Sequence, residues 1–207
     1  MRAVLRFLAS VMMVSGALLI GDAGATLLWQ EPLSWVLAQR EQGQLEDALA
    51  SPPQRVLDRK PLKGDAIGRI AIPSAGVSEY VVEGTDTADL RKGPGHYADT
   101  PLPGERGTTA IAGHRTTYGA PFRRLDDVRR GDRVTVDMPY GRFVYRVQET
   151  KIVDDQELSV LNKRSYDRLV LSACHPLYSA AQRIVAFARF ERRLAPRVGG
   201  APRALHR

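Results

Sequence analysis

The sequence contains a single cysteine, Cys174, among its 207 residues. One cysteine cannot form a disulfide within the chain, and it cannot supply a zinc cluster built on several cysteines. A lone thiol is usually a small buried apolar side chain. The residues around Cys174 must therefore decide whether it is structural or reactive.

The sequence also lacks internal repeats and any basic motif interleaved with aromatic residues. The formal net charge is +7 and the pI is near 9.8, with arginines concentrated at the two ends and between positions 123 and 130. Without an aromatic-interleaved motif, this charge does not indicate nucleic-acid binding. It suits a protein beside an anionic membrane or cell wall.

A long apolar segment lies near the N-terminus. From Phe7 to Trp29 only Asp22 is charged, and a helix of this length spans about 34 Å, enough for a bilayer core. Arg2 and Arg6 precede it, which predicts a cytoplasmic N-terminus and places the rest of the chain on the extracellular face. Ala23-Gly24-Ala25 resembles a signal-peptidase site. Because the apolar run continues to Trp29, we favour a retained single-pass anchor in the cytoplasmic membrane.

The remaining chain divides into three parts. Residues 30–65 are expected to form an amphipathic juxtamembrane helix, ended by Ser51-Pro52-Pro53, and a polar linker. Residues 1–29 are expected to serve location only, so a protein that begins near Asp65 should be soluble and retain its function. Residues 66–193 form the predicted β-barrel domain, and residues 194–207 form a basic tail expected to be disordered.

Apolar residues that recur at every second position dominate residues 66–193. Val134, Val136 and Met138 alternate with polar residues, and a similar run follows the Tyr140-Gly141 turn, as in a hairpin. Leu169-Val170-Leu171 is apolar throughout, as a central strand would be. Seven or eight such short strands with few helical turns predict a mainly β fold, a small closed β-barrel.

Three candidate catalytic residues lie at strand ends. Cys174 ends an apolar strand, and Pro176 prevents the ladder from continuing. Arg183 opens the next strand and can hydrogen-bond a developing oxyanion. His114 follows the apolar run 109–112 and can exchange a proton with the thiol and the leaving amine.

These residues occur in motifs that resemble the sortase family. Ala112-Gly113-His114-Arg115-Thr116-Thr117-Tyr118-Gly119-Ala120-Pro121-Phe122 and Cys174-His175-Pro176 are similar to class E sortases of actinobacteria. The resemblance covers residues 66–193, together with the N-terminal anchor.

The resemblance implies an eight-stranded barrel with Cys174, His114 and Arg183 as catalytic residues, and no cofactor. It also implies that an LPXTG-like C-terminal sorting signal of an exported protein, in class E Leu-Ala-x-Thr-Gly, is cleaved between Thr and Gly. A thioacyl-enzyme then passes the protein to an amine of a peptidoglycan precursor.

Four further residues are expected to contact the substrate: Ser172, Ala173, Tyr118 and His96. Ala173 departs from the family pattern, since most sortases have threonine before the cysteine. Ser172 is no obvious replacement, because successive residues of a strand face opposite ways.

Other interpretations remain open at this stage. His175 is a less favourable base than His114, and Asp126 and Asp127 are expected to be solvated turn residues. Glu83, Asp86 and Asp89 could suggest calcium, but acidic turn residues are common and no metal is assigned. Alternative functions are a cysteine peptidase that hydrolyses the same signal, a pilus-polymerising sortase and a noncatalytic wall-binding barrel.

Overall fold

The structure is a computed structural model that describes residues 2–29, 32–162 and 164–196. Its helices are α1 (Arg2–Trp29), α2 (Pro32–Ala50), α3 (Gln54–Leu57) and α4 (Thr87–Leu90). Its strands are β1 (Ala66–Ile72), β2 (Val77–Glu83), β3 (Gly95–His96), β4 (Thr108–Ala112), β5 (Arg133–Met138), β6 (Gly141–Asp154), β7 (Arg168–His175) and β8 (Gln182–Leu194). Residues 197–207 of the predicted tail lie outside the described residues.

The strands close into a barrel in the order β1-β2-β3-β4-β7-β8-β6-β5. This confirms the predicted eight-stranded closed barrel. Most neighbours are antiparallel, whereas β2 and β3, and β4 and β7, run parallel. Because β4 and β7 are parallel, their carboxyl ends meet at one rim, and both predicted motifs begin there.

Alternation along the strands separates the barrel interior from its outer surface. On β7, Leu169, Leu171 and Ala173 pack into the interior core. Val170 belongs to a separate cluster with Ala110, Val185 and Phe187 of the neighbouring strands. The strand is therefore apolar on both faces, as the continuous run Leu169-Val170-Leu171 predicts.

Helix α1 is the described helix with the length and composition to cross a membrane, over Arg2–Ala25. Almost all of its described side chains up to Ala25 are exposed, as expected for a helix that needs an apolar surrounding. The side chain of Trp29, expected as an interfacial anchor, lies outside the described residues. An apolar N-terminal helix is consistent with a single-pass anchor.

Helix α2 packs against the barrel. Leu45 and Leu49 form a buried cluster with Ala66 of β1 and Val82 of β2. Val56 of α3, within the expected linker, is also buried. The segment before residue 66 is therefore packed on the barrel rather than a free linker, and the activity of a protein that begins near Asp65 stays a prediction.

Candidate active site

Cys174 and Arg183 lie opposite each other on adjacent strands. Cys174 is in register with Arg183 in the antiparallel pair formed by β7 and β8. Directly paired residues of a sheet project to the same face, about 5 Å apart at Cβ. Both side chains are half-buried at the rim, so each is partly accessible to solvent.

His114 lies on the other side of Cys174. In the parallel pair formed by β4 and β7, Ala112 is in register with Ser172. The ladder continues one step further, because the amide of Gly113 donates to the carbonyl of Ser172 at 3.0 Å. One more step in the same register places His114, two residues beyond the end of β4, opposite Cys174.

A contact on the opposite face supports this register. Arg115 and His175, the residues after His114 and Cys174, are joined through Nη1 of Arg115 and Nδ1 of His175 at 3.2 Å. If the residues that follow pair on one face, His114 and Cys174 pair on the other. The fold therefore aligns His114, Cys174 and Arg183 across three adjacent strands.

Further along the strands, the face that carries these three residues is covered. Its buried residues are Ala110, Val170, Val185 and Phe187, and the partly exposed Tyr97, Val153, Val160 and Leu161 pack against them. Ser172 lies on the same face as Cys174, and its hydroxyl is 3.4 Å from that of Tyr97. A peptide next to the thiol would meet apolar side chains and two hydroxyl groups. No sequence pattern indicated Tyr97 as a residue of the site.

Ala173 points into the barrel core, away from this face. The missing threonine is thus at a buried position, where its side chain could not reach a peptide above Cys174. This placement favours a packing role for Ala173 over the substrate contact expected from the sequence.

His114 is held by the loop that follows it. The amide of Phe122 donates to the carbonyl of His114 at 3.0 Å, and Phe122 is fully buried. Gly113 is needed for this arrangement, because a Cβ there would lie 2.6 Å from the Phe122 ring. The Tyr118 ring packs against the His114 imidazole, with centroids 5.3 Å apart.

The surroundings of His114 favour its neutral form. Burial lowers the pKa of His114, and the positive charge of Arg91 lowers it further. Its Nε2 is buried and has no hydrogen-bond partner among the described residues. A buried nitrogen without a hydrogen-bond partner destabilises the fold. Such unpaired groups are common at functional sites, where a proton must be exchanged with a bound substrate. Tyr118, which was expected to contact the substrate, packs against this imidazole. Its contact with a bound peptide stays a prediction.

Arg183 is oriented by the loop between β7 and β8. Its Nη1 donates to the carbonyl of Ala180 at 2.8 Å and to that of Gln182 at 3.0 Å. A guanidinium has five N–H donors, and these two bonds use the pair on Nη1. Nε and Nη2 make no hydrogen bond within the described part of the chain, so they remain available for a carbonyl oxygen.

Arg115 is a buried residue of the site that sequence reasoning missed. Its side chain is 1% exposed and pairs with Asp126 at 2.9 Å. It also donates to the carbonyls of Arg123 and Cys174. Arg115 thus ties the loop after His114 to the end of β7. Asp126, expected to be a solvated turn residue, is its ion-pair partner and is half-exposed.

His175 and His96 have roles away from the thiol. Arginine can only donate, so Nδ1 of His175 accepts from Arg115 on the face opposite Cys174. His96 is 1% exposed, with Nδ1 2.9 Å from Glu83 and Nε2 close to Thr100 and the carbonyl of Pro101. Both of its ring nitrogens are engaged inside the fold. This contradicts the expectation that His96 lines the substrate site.

The acidic residues considered for calcium have basic partners. Glu83 contacts His96, and Lys63 forms ion pairs with both Asp86 and Asp89. In the ranges that the structure describes, no three histidine, cysteine or carboxylate side chains are grouped as a metal site requires.

The fold and these rim residues match one family of known proteins. A closed eight-stranded barrel with cysteine, histidine and arginine on adjacent strand ends is the arrangement expected of a sortase. The sortase domain model matches residues 70–191. The chain belongs to the sortase family, with similarity to class E.

Named relatives agree with this assignment. The chain is 39% identical to sortase D of Bacillus subtilis over 56% of its own length and 58% of the relative. It is 26% identical to sortase SrtE1 of Streptomyces coelicolor over 97% of its own length and 60% of the relative. The chain thus spans less than two thirds of these relatives.

Solved structures show the same fold. Sortase E of Streptomyces avermitilis has a TM-score of 0.60 at 29% identity, covering 65% of this chain and 93% of that chain. Sortase E1 of Streptomyces coelicolor, solved with a tripeptide in the active site, has a TM-score of 0.59 at 25% identity. That match covers 69% of this chain and 98% of that chain.

Proposed function

We propose that this protein is a membrane-anchored cysteine transpeptidase that cleaves C-terminal sorting signals of exported proteins. The observation that carries the proposal is that Cys174 and Arg183 are paired on adjacent strands and that the register of β4 with β7, continued by Gly113, places His114 opposite Cys174. An acyl transfer from an amide needs a nucleophile, a proton carrier and an oxyanion donor within reach of one carbonyl. These three side chains supply those functions.

In the first step, the sulfur of Cys174 attacks the threonine carbonyl carbon of the signal, and its proton passes to His114. The carbonyl oxygen becomes an oxyanion, which accepts hydrogen bonds from Nε and Nη2 of Arg183. Because burial and Arg91 lower the pKa of His114, the imidazole is neutral at pH 7 and can take this proton.

The tetrahedral intermediate then breaks its carbon–nitrogen bond. His114 returns the proton to the departing glycine nitrogen, because an amide anion is too basic to leave unprotonated. The lowered pKa of His114 makes its protonated form a better acid for this transfer. A thioester between Cys174 and threonine remains. An acceptor amine attacks it by the reverse sequence, and Cys174 is regenerated.

The partly exposed side chains beside Cys174 support an extended peptide as substrate. Ser172 and Tyr97 offer hydroxyl groups near the thiol, and Val153, Val160 and Leu161 offer apolar contacts further along. We propose a Leu-Ala-x-Thr-Gly signal and an amine of a peptidoglycan precursor as acceptor, in line with the class E similarity. In sortase E1 of Streptomyces coelicolor, a tripeptide occupies the active site.

We further propose that α1 is a single-pass anchor with its N-terminus in the cytoplasm. Its apolar stretch begins after Arg2 and Arg6, and positively charged residues stay on the cytoplasmic side. The barrel would then lie on the extracellular side, where exported substrates and wall precursors meet.

Product analysis tests this function. The purified protein is incubated with a Leu-Ala-x-Thr-Gly peptide, with and without a glycine-based amine, and the products are weighed. We expect cleavage between Thr and Gly, and a threonine product that carries the amine when it is present. A matched peptide with Gly replaced by Pro should remain intact.

Hydrolysis alone at every amine concentration would identify a peptidase instead. If neither cleavage nor an adduct on Cys174 formed with any sorting peptide, the noncatalytic barrel would be the better interpretation.

A further inference from the structure

Helix α2 lies against the loop that carries Tyr118. One face of α2 is buried at Ser34, Ala38, Leu45 and Leu49, residues spaced by about one or two helical turns. The C-terminal half of this face packs on β1 and β2. The N-terminal half has a different partner, the loop between His114 and Phe122.

The contacts with this loop are specific. The amide of Tyr118 donates to Oγ of Ser34 at 3.3 Å. At Gly119, a Cβ would lie 3.3 Å from Cβ of Ala38, so helix and loop backbone approach as closely as a glycine allows. Both Ser34 and Ala38 are buried by this contact.

The loop adopts a conformation that needs support. Tyr118, Gly119 and Ala120 have φ values of 50°, 74° and 45°, so three successive residues are left-handed. Residues other than glycine avoid this region, and they stay in it only when their surroundings hold them. The turn is closed by the amide of Ala120 on the carbonyl of Thr117, and α2 covers its outer side.

Gln42 fixes the position of α2 between these two contacts. Its Oε1 accepts from the amide of Tyr80 at 2.7 Å, and its Nε2 donates to the carbonyls of Tyr80 and Lys92. Gly93 provides the space, because a Cβ there would lie 2.2 Å from this nitrogen. The side-chain amide of Gln42 thus bonds both the backbone N–H and the backbone carbonyl of Tyr80 on β2. These two bonds fix the position of α2 along the barrel.

The supported loop places the Tyr118 ring against the His114 imidazole. The guanidinium of Arg91 lies over the Tyr118 ring, 5.5 Å from the centroid of that ring. Burial is the main cause of the lowered pKa of His114, and the Tyr118 ring is one of the groups in contact with the imidazole. Displacement of the loop would hydrate the imidazole and loosen its orientation.

We propose that α2 is a brace for the active site, which holds Tyr118 over His114 and makes the juxtamembrane helix part of the catalytic machinery. In this role Tyr118, Ser34 and Ala38 are positioning residues. The inference rests on the proposed function for its kinetic consequence, whereas its structural consequence can be measured without substrate.

The brace also keeps the active site near the anchor. Ser34 is five positions after Trp29, the last residue of α1. A chain of this length spans at most about 18 Å. The His114 loop is therefore held within a short distance of the extracellular end of the anchor, where a membrane-bound substrate would present its signal.

A matched pair of substitutions in the full-length protein in detergent micelles tests the brace. Ala38→Leu places a bulky side chain against Gly119, whereas Ala48→Leu makes the same change at an exposed position of α2. A small displacement of a catalytic group costs about 10- to 100-fold in rate, and we expect a loss of kcat in this range for Ala38→Leu. Ala48→Leu should stay within about twofold of the parent protein.

The second readout is the pKa of His114, followed by NMR of labelled histidine without substrate and assigned with His114→Asn. We expect this pKa to rise towards its ordinary value in Ala38→Leu and to be unchanged in Ala48→Leu. Ser34→Ala should give a smaller change in the same direction. Tyr118→Phe should retain activity and Tyr118→Ala should lose it, because the ring rather than the hydroxyl provides the contact.

Thermal unfolding shows whether each variant is folded, and a variant whose barrel has unfolded is replaced by Ser34→Ala in the comparison. The same kcat and the same His114 pKa in Ala38→Leu and Ala48→Leu would overturn the brace. Failure of the parent protein to cleave any sorting peptide would refute the proposed function alone, since the NMR titration still decides the structural claim.

Discussion

Replacement of Arg115 by alanine is expected to destabilise the protein and reduce its activity together. Arg115 is the largest fully buried side chain among the described residues, and it links three segments of the site. It donates to the carbonyls of Arg123 and Cys174, contacts Nδ1 of His175 and pairs with Asp126. The substitution removes all of these donors at once.

The expected loss in the free energy of unfolding depends on how buried each partner of Arg115 is. Asp126 is 52% exposed, so water solvates its carboxylate after the substitution. The loss of this ion pair therefore lowers the stability only slightly. The two carbonyls and the imidazole nitrogen are less accessible, and a buried acceptor that loses its donor costs about 1–3 kcal/mol. Because water can enter the cavity left by the side chain, we expect a total loss of about 2–4 kcal/mol. For a domain of this size, that corresponds to a fall in Tm of about 5–15 °C.

Arg124→Ala is the matched control for thermal unfolding followed by circular dichroism. Arg124 forms the neighbouring arginine–aspartate pair, with Asp127, but its side chain is 62% exposed. Its loss should change stability by less than about 0.5 kcal/mol. Equal Tm values for Arg115→Ala and Arg124→Ala would refute the reasoning that Arg115 ties the His114 loop to β7.

Three further outcomes are expected. Arg183→Lys should lower kcat by about 10²–10³, because lysine keeps the charge but lacks the planar fork that donates to an oxyanion. Near-normal kcat in steady-state assays at two ionic strengths would instead make Arg183 a steering charge. Arg91→Leu should raise the pKa of His114, because it removes a repelling positive charge, although burial still holds the pKa below its ordinary value. The NMR titration would show an unchanged midpoint if Arg91 had no influence. Gly113→Ala should destabilise the fold by about 1–3 kcal/mol, because the new Cβ meets the ring of Phe122. Unfolding by denaturant with an unchanged midpoint would contradict that close approach.

The barrel and the three rim residues could be predicted because their signals are local. Strands show as period-two patterns, and Cys174, His114 and Arg183 each stand where an apolar run begins or ends. Their alignment across β4, β7 and β8 was an inference from the family resemblance, since nothing local specifies that β4 pairs with β7.

The features that sequence reasoning missed depend on contacts between distant parts of the chain. From the sequence alone, Arg115 cannot be distinguished from a surface arginine. Its partners at positions 123, 126, 174 and 175 come together only in the folded barrel. The small residues Ser34 and Ala38 give α2 a weak apolar pattern, so its packing on the His114 loop left no clear signal. His96 was misjudged because its buried partner Glu83 lies on another strand.

The mass of the intact protein after mixing with a Leu-Ala-x-Thr-Gly peptide tests the central claim most directly. The account predicts an adduct equal to the peptide acyl portion ending in threonine, located on Cys174 and removed by hydroxylamine. His114→Asn and Arg183→Ala should slow its formation, and Cys174→Ala should abolish it while the barrel remains folded. Cleavage that persists in Cys174→Ala, or an adduct on another residue, would contradict the assignment of Cys174 as the nucleophile.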